Sequence, residues 1–317
     1  MKVLVYGAGV LGAYLAHVLI RGGNDVSVLA RGARADEFER DGIVLRHYFQ
    51  RKTTVDPVRV IRTLEKDDIY DLIFVVMKYT DFRAVLPIIA RNLSRNLVLV
   101  GNNAEAREMQ TELLEQSETG KNIAFGFQVS GGRREPGRTV VIRERGQMVL
   151  GGLDGPISFL AELRQAFAKT RYKLTTHEDM DAWLKNHIVP ILMLNYLPQI
   201  HDGQMKAVAR DGKLLRNAVG AMDEGFRVLE TLGYPLTPVV QASAIRKHKR
   251  LVQGFLKIYH LLPVSRMIDG NFAEVEALAH KFQEWSKQTK MKTPHWDELE
   301  RQLRMKKAGE SSPAPSI

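Results

Sequence analysis

The sequence contains no cysteine at all. That absence excludes disulfides, thiolate nucleophiles and cysteine-ligated zinc, and says little about redox compartment. No run of about eighteen apolar residues occurs, so no membrane-spanning helix is expected. Neither an H-E-x-x-H pair nor an Asp/Glu cluster is present, and the 9 histidines lack ligand spacing. No metal is therefore expected. Aromatic residues make up only 8% and do not interleave with basic ones in any nucleic-acid motif, so no nucleic-acid partner is expected either. The pattern of the first strand starts at Lys2, which leaves no room for a secretory signal and makes the cytoplasm the expected location.

Basic charge, by contrast, is abundant. Lys and Arg number 46 against 36 Asp and Glu, a formal net charge of +10. The densest cluster, RKHKR at Arg246 to Arg250, lies in a segment of helical spacing and reads as a solvated basic face. An anionic substrate and a phosphorylated cofactor would account for the bias as well.

At 317 residues the chain has room for two domains. Its first half alternates short apolar runs (KVLVYG, NDVSVLAR, YDLIFVVMK, NLVLVGNN) with amphipathic ones. Runs rich in Val, Ile and Leu suit parallel strands buried on both faces. The expected fold is thus α/β, an N-terminal Rossmann-like doubly wound domain over residues 1–155. Between Ile123 and Leu153 the pattern turns to strands and turns, read as an antiparallel extension of the same sheet. Helical spacing dominates afterwards, which predicts an all-helical C-terminal domain over residues 156–304. The polar, Pro/Ser-rich residues 305–317 read as a disordered tail.

Gly7, Gly9 and Gly12 follow the first apolar strand directly and open a helix with apolar Leu11, Leu15, Val18 and Leu19. That context makes the spacing a dinucleotide fingerprint. Gly7 would form the tight turn, and Gly9 would let the backbone approach the pyrophosphate. Gly12 would let the helix pack on its strand, with Val10 and Leu11 completing the helix N-terminus that faces the phosphates. At the end of the second strand, where an acidic residue would serve NAD, stands Arg31, nineteen residues after Gly12, with Arg34 close behind. A guanidinium suits a 2′-phosphate, so NADP(H) is the expected cofactor. Asp36 and Glu37 are read as the start of a helix.

The chain resembles the ketopantoate reductase (2-dehydropantoate 2-reductase) superfamily. The resemblance rests on GAGVLGAYLA, LAR, FVVMKYTD, VLVGNNAEA, GGRREPGRTVVI and AWLKN, strongest over the first 185 residues. It implies a site in the cleft between the two domains and hydride transfer from NADPH to a small anionic 2-oxo acid. A homodimer through the helical domain is implied as possible. Lys78 matches the family's lysine near the cofactor, and Asn102 its asparagine beside nicotinamide and substrate. Lys185 matches the catalytic lysine, a general acid for the forming alkoxide. Glu274, twenty residues before Pro294, matches the glutamate that accepts from the substrate hydroxyl or anchors the lysine.

Several family positions differ. Asn103 stands where glycine is usual, and Val189 and Met193 replace asparagines after the lysine. On a helix turning about 100° per residue, Lys185, Val189 and Leu192 share one face while His187 points almost opposite. A Ser-Ser-Met stretch gives way to HLLPVSRMIDGNF, with Ser265 as a weak substitute, and an Asn-Gly pair to Ala279 and His280. Loss of such polar partners changes substrate discrimination more than reaction class. Two other readings stay open: an opine- or 6-phosphogluconate-type dehydrogenase, and an NADP(H)-binding sensor without turnover.

Overall fold

The computed structural model describes residues 1–142, 145–267 and 271–310. Two compact units divide the chain, the first running from Met1 to Asp181 and the second starting at Ala182.

Among the described residues, twelve strands and five α-helices build the first unit. Chain order gives β1 (Lys2–Tyr6), α1 (Val10–Arg21), β2 (Asp25–Leu29), α2 (Ala33–Asp41), β3 (Ile43–His47), β4 (Lys52–Asp56), β5 (Arg59–Ile61) and β6 (Leu72–Val76). Then come α3 (Phe82–Arg91), β7 (Asn96–Val100), α4 (Ala106–Gln116), β8 (Asn122–Gln128), β9 (Gly132–Glu135), β10 (Arg138–Val141), β11 (Gln147–Gly151), α5 (Leu160–Phe167) and β12 (Lys173–Thr176). The main sheet has the order β12-β11-β8-β7-β6-β1-β2-β5. β5, β2, β1, β6, β7 and β8 run parallel, and β11 is antiparallel to β8. This is the doubly wound sheet expected from the apolar runs. Its central strands are buried along almost their whole length, each Val, Ile or Leu contributing roughly 1.5–3 kcal/mol by leaving water.

The antiparallel extension is only partly right. β11 does close that side of the sheet, but β9 and β10 leave it and form a second sheet, β4-β3-β10-β9. The sequence reading overlooked β3 and β4. β3 buries every second residue, the signature of a strand with one covered face.

What covers that face is α1. It packs on β1 and β2 on one side and on β3, β9 and β10 on the other. Eight consecutive residues, Gly12 to Leu19, are accordingly buried, as befits a helix without a solvent face. The one ionisable group among them outside the tyrosine class, His17, is paired: its Nδ1 lies 2.5 Å from Asp56 Oδ2, and Asp56 Oδ1 accepts from Arg21 Nε at 2.8 Å. That ion pair fastens α1 to the end of β4.

Two expected boundaries move. The first unit extends past residue 155, because β12 pairs with β11 and α5 adds Leu163, Ala166 and Phe167 to the core around Tyr14. β12 escaped notice because none of its four residues is fully buried. At the other end, residues 305–310 are helix rather than tail, and residues 311–317 lie outside the described residues.

The second unit is helical: α6 (Met180–Ile200, entered from the first unit), α7 (Met205–Arg210), α8 (Gly212–Thr231), α9 (Val239–Lys247), α10 (Lys249–Leu261), α11 (Phe272–Thr289) and α12 (Pro294–Glu310). Glu224 of α8 caps α12, accepting from the backbone N–H groups of His295 (3.1 Å) and Trp296 (3.0 Å). Trp296 then stacks on Phe282 of α11 with centroids 3.5 Å apart. The basic cluster is split between two helices at His248. Arg246 bridges Glu230 and Asp223 while Lys249 pairs with Asp223 at 2.8 Å, so part of this face is neutralised. Among the described residues no helix is long and apolar enough to cross a membrane, and no group of three or more His, Asp or Glu is placed to hold a metal ion.

Candidate functional site

In the main sheet, chain order reverses at β1, which lies between β6 and β2. A crevice outside the carboxyl ends of the strands is where open α/β sheets take ligands. The sequence places Gly7, Arg31, Lys78 and Asn102 just past the carboxyl ends of β1, β2, β6 and β7, and the parallel registers bring those four ends to one edge.

At that edge the glycines divide into two kinds. Gly7 has φ +121° and donates its N–H to Leu29 O at 3.2 Å; a Cβ there would lie 2.3 Å from Val76 O. At Gly12 a Cβ would lie 1.9 Å from Gly7 O, so only hydrogen lets α1 sit on the turn. Both positions are required by packing. Gly9 differs: a Cβ there would meet nothing within 4 Å. The first backbone bond of α1 runs from Ala13 N to Gly9 O at 2.9 Å. The N–H groups of Val10, Leu11 and Gly12 therefore precede any intrahelical acceptor and sit beside open space. An anion fits there by helix-terminus electrostatics.

Around the turn the cations have separate tasks. Arg31 is exposed and donates from Nη2 to Tyr6 Oη at 3.0 Å. Arg34 is committed to structure. Its Nε donates to Ala8 O (3.0 Å), one Nη to Thr139 Oγ1 (2.7 Å), and the other pairs with Glu37 (2.8 Å). Asp36 and Glu37 do stand in the first half of α2. Arg134, on β9, also donates to Ala8 O at 3.3 Å. The sequence reading missed this residue; its register opposite Thr139 in the β9–β10 ladder is the only cue, and that ladder was assigned to the wrong sheet.

Lys78 is exposed and precedes the 3₁₀ turn Tyr79–Asp81. Asn102 follows Gly101, where a Cβ would lie 2.3 Å from Met77 O. Asn103 is 2% exposed, and its Oδ1 accepts from Glu105 N at 2.8 Å. It closes the turn into α4, a structural task that explains an amide where the family has glycine.

The remaining candidates belong to the second unit. Lys185 lies on α6, 5% exposed, with Nζ 4.8 Å from the centroid of the Tyr234 ring. Next to it, Asn186 donates to Ala182 O (2.8 Å) and Pro235 O (3.0 Å), fixing α6 against the segment after α8. Val189 is fully buried, and a Cβ on Gly225 of α8 would lie 2.8 Å from its Cγ1. The position where the family carries asparagine is here a helix-packing contact. Met193 is equally buried. Glu274 sits half-buried in the first turn of α11, where Asn271 Oδ1 accepts from its N–H at 2.9 Å. His280 is exposed and pairs with Glu284 at 3.1 Å, and Ser265 Oγ donates to Leu262 O at 2.8 Å. Each has a structural occupation.

His187 stacks on Trp183, centroids 4.9 Å apart and 11° from coplanar. Desolvation pushes its pKa down to about 4. The unfolded chain binds a proton near pH 6.5 that the folded chain takes up only near 4, so stability falls as pH drops through that window. Denaturant unfolding at successive pH values should show a loss of about 2–3 kcal/mol from this group. His187→Gln should flatten that part of the profile; an unchanged slope would relocate the effect.

The comparisons with known proteins concern the fold. Residues 3–155 match the model of the family described as ketopantoate reductase PanE/ApbA. A comparison with curated proteins found no match. Among solved structures, a PanE/ApbA family ketopantoate reductase from Ralstonia eutropha JMP134 is similar at a TM-score of 0.75 and 21% identity, over 98% of this chain and 100% of the other. D-mandelate dehydrogenase in a ternary structure with NADH and anilino(oxo)acetate reaches 0.76 at 16% identity, over 98% and 100%. A 2-dehydropantoate 2-reductase from Methylococcus capsulatus reaches 0.72 at 17%, over 100% of both chains. At such identities the likeness concerns the fold: a Rossmann-like domain followed by helices.

Proposed function

We propose that this chain is an NADPH-dependent reductase of a small anionic 2-oxo acid. The observation that carries the reading is the open space at Gly9, beside amides at the α1 N-terminus and inside the residues that match the PanE/ApbA family model. Bound there, NADPH would supply the hydride. Val10 and Leu11 would offer backbone N–H groups to its phosphates, Arg31 would hold the 2′-phosphate, and Lys78 would add positive charge at the same sheet edge. Asn102 would orient the nicotinamide or donate to the substrate carbonyl. Lys185 would stabilise the developing alkoxide and protonate it, with Glu274 accepting from the substrate hydroxyl or holding the lysine. Two of the similar structures support the coarser reading of a nicotinamide-dependent oxidoreductase: one is a D-mandelate dehydrogenase with NADH and anilino(oxo)acetate, and one is a 2-dehydropantoate 2-reductase.

Following the loss of reduced-nicotinamide absorbance across a panel of 2-oxo acids tests the reading, and turnover of at least one is expected. Binding of NADPH with no turnover anywhere would favour a cofactor-binding sensor, which the apolar packing of Val189 supports. Arg31→Asp is expected to move the ratio of kcat/KM for NADPH over NADH by roughly a hundredfold toward NADH, as expected for a charged hydrogen bond of 1.5–3 kcal/mol turned into repulsion. An unmoved ratio would put the 2′-phosphate elsewhere.

A further inference from the structure

The second unit has a cavity of about 640 Å³ that the reductase reading does not use. The turn before α7, α7 itself and the 3₁₀ turn Pro263–Arg266 line it, and three cations, Lys206, Arg210 and Arg266, stand in its wall. All three are exposed, and none has an ion-pair partner among the described residues.

The nearby carboxylates are occupied. Asp211, the one acidic residue among the described residues of the wall, lies 3.2 Å from His201 Nε2 and accepts from Leu214 N at 2.8 Å, capping α8. Asp202 pairs with Lys306 at 2.6 Å. Gly203 also lines the cavity, at φ +73° with no atom within 4 Å of where a Cβ would be. Among the described residues of the wall, three cations thus face open space against the single carboxylate of Asp211, leaving a net positive charge that an entering anion would balance.

We infer that this cavity binds a small phosphate ester, its dianionic phosphate held by Arg210, Arg266 and Lys206. Two guanidinium forks and an ammonium match the several oxygens and double charge of a phosphate better than a single carboxylate, which one arginine satisfies. The volume suits a metabolite-sized molecule. The inference is independent of the reaction catalysed, because every residue in it lies in the second unit.

Inorganic pyrophosphate is the probe. It is titrated calorimetrically into the full chain carrying Gly9→Ala, whose methyl occupies the open space beside the α1 amides so that the glycine turn does not take it up. Saturable binding is expected. Arg210→Gln and Arg266→Gln should each weaken it roughly tenfold, the loss of one charge-assisted contact. Arg250→Gln, an exposed cation elsewhere, should leave it unchanged. Both cavity substitutions are at exposed sites, and circular dichroism reports that the variants remain folded. No binding, equal weakening by all three substitutions, or no weakening by the cavity pair overturns the assignment. Citrate binding as tight as pyrophosphate would overturn the preference for phosphate.

Discussion

Lys185→Ala is expected to lower kcat by roughly a thousandfold, within the 10²–10⁴ range of a lost general acid, with NADPH affinity unchanged. Hydride arriving at a ketone leaves an alkoxide that must gain a proton, and the ammonium at 5% exposure is shielded enough to serve. Its contact with the Tyr234 ring, 4.8 Å away, adds about 0.5–2 kcal/mol. A modest fall in melting temperature should therefore accompany the kinetic loss. Lys185→Arg separates the two effects. It keeps the charge over the ring and most of the stability, but a guanidinium does not release its proton at neutral pH, so kcat should stay low. Undiminished turnover in Lys185→Ala would remove this lysine from the chemistry.

The second large effect concerns Gly12, and a comparison with Gly9 gives it meaning. Gly12→Ala puts a methyl 1.9 Å from Gly7 O. Either the turn or α1 must move, and α1 is packed on both sides by sheets. A loss of about 3 kcal/mol is expected, read as a melting temperature lower by roughly 6–12 °C for a unit of this size. NADPH affinity should fall with it. Gly9→Ala should behave otherwise: its methyl enters open space, so stability should hold while affinity drops by at least about tenfold. Equal melting temperatures for the Gly12→Ala and wild-type proteins would mean that the turn relaxes cheaply.

Much of the first unit was legible because its strands are short apolar runs separated by helical ones. Gly7, Gly9 and Gly12 could be given separate tasks from spacing alone. The second sheet was not legible, since β9 and β10 look like any antiparallel pair, and only β3 and β4, far away in sequence, show where they go. Arg34 illustrates a related difficulty. It follows Arg31 closely, yet its guanidinium is turned to Ala8 O and Glu37 by tertiary contacts that no local pattern records. Val189 was noticed as a departure, but its reason, a close contact with Gly225 on α8, required the packed helices. Residue type and spacing reveal local geometry, whereas partnership across long separations appears only when the chain has folded.

The burial of α1 between two sheets bears on the thermodynamics of ligand capture. A segment wedged from both sides, and pinned by His17 to Asp56, has little freedom left to surrender. The unpaired amides at its N-terminus are oriented before any guest arrives, so association there should carry a small entropic penalty and little rearrangement of the backbone.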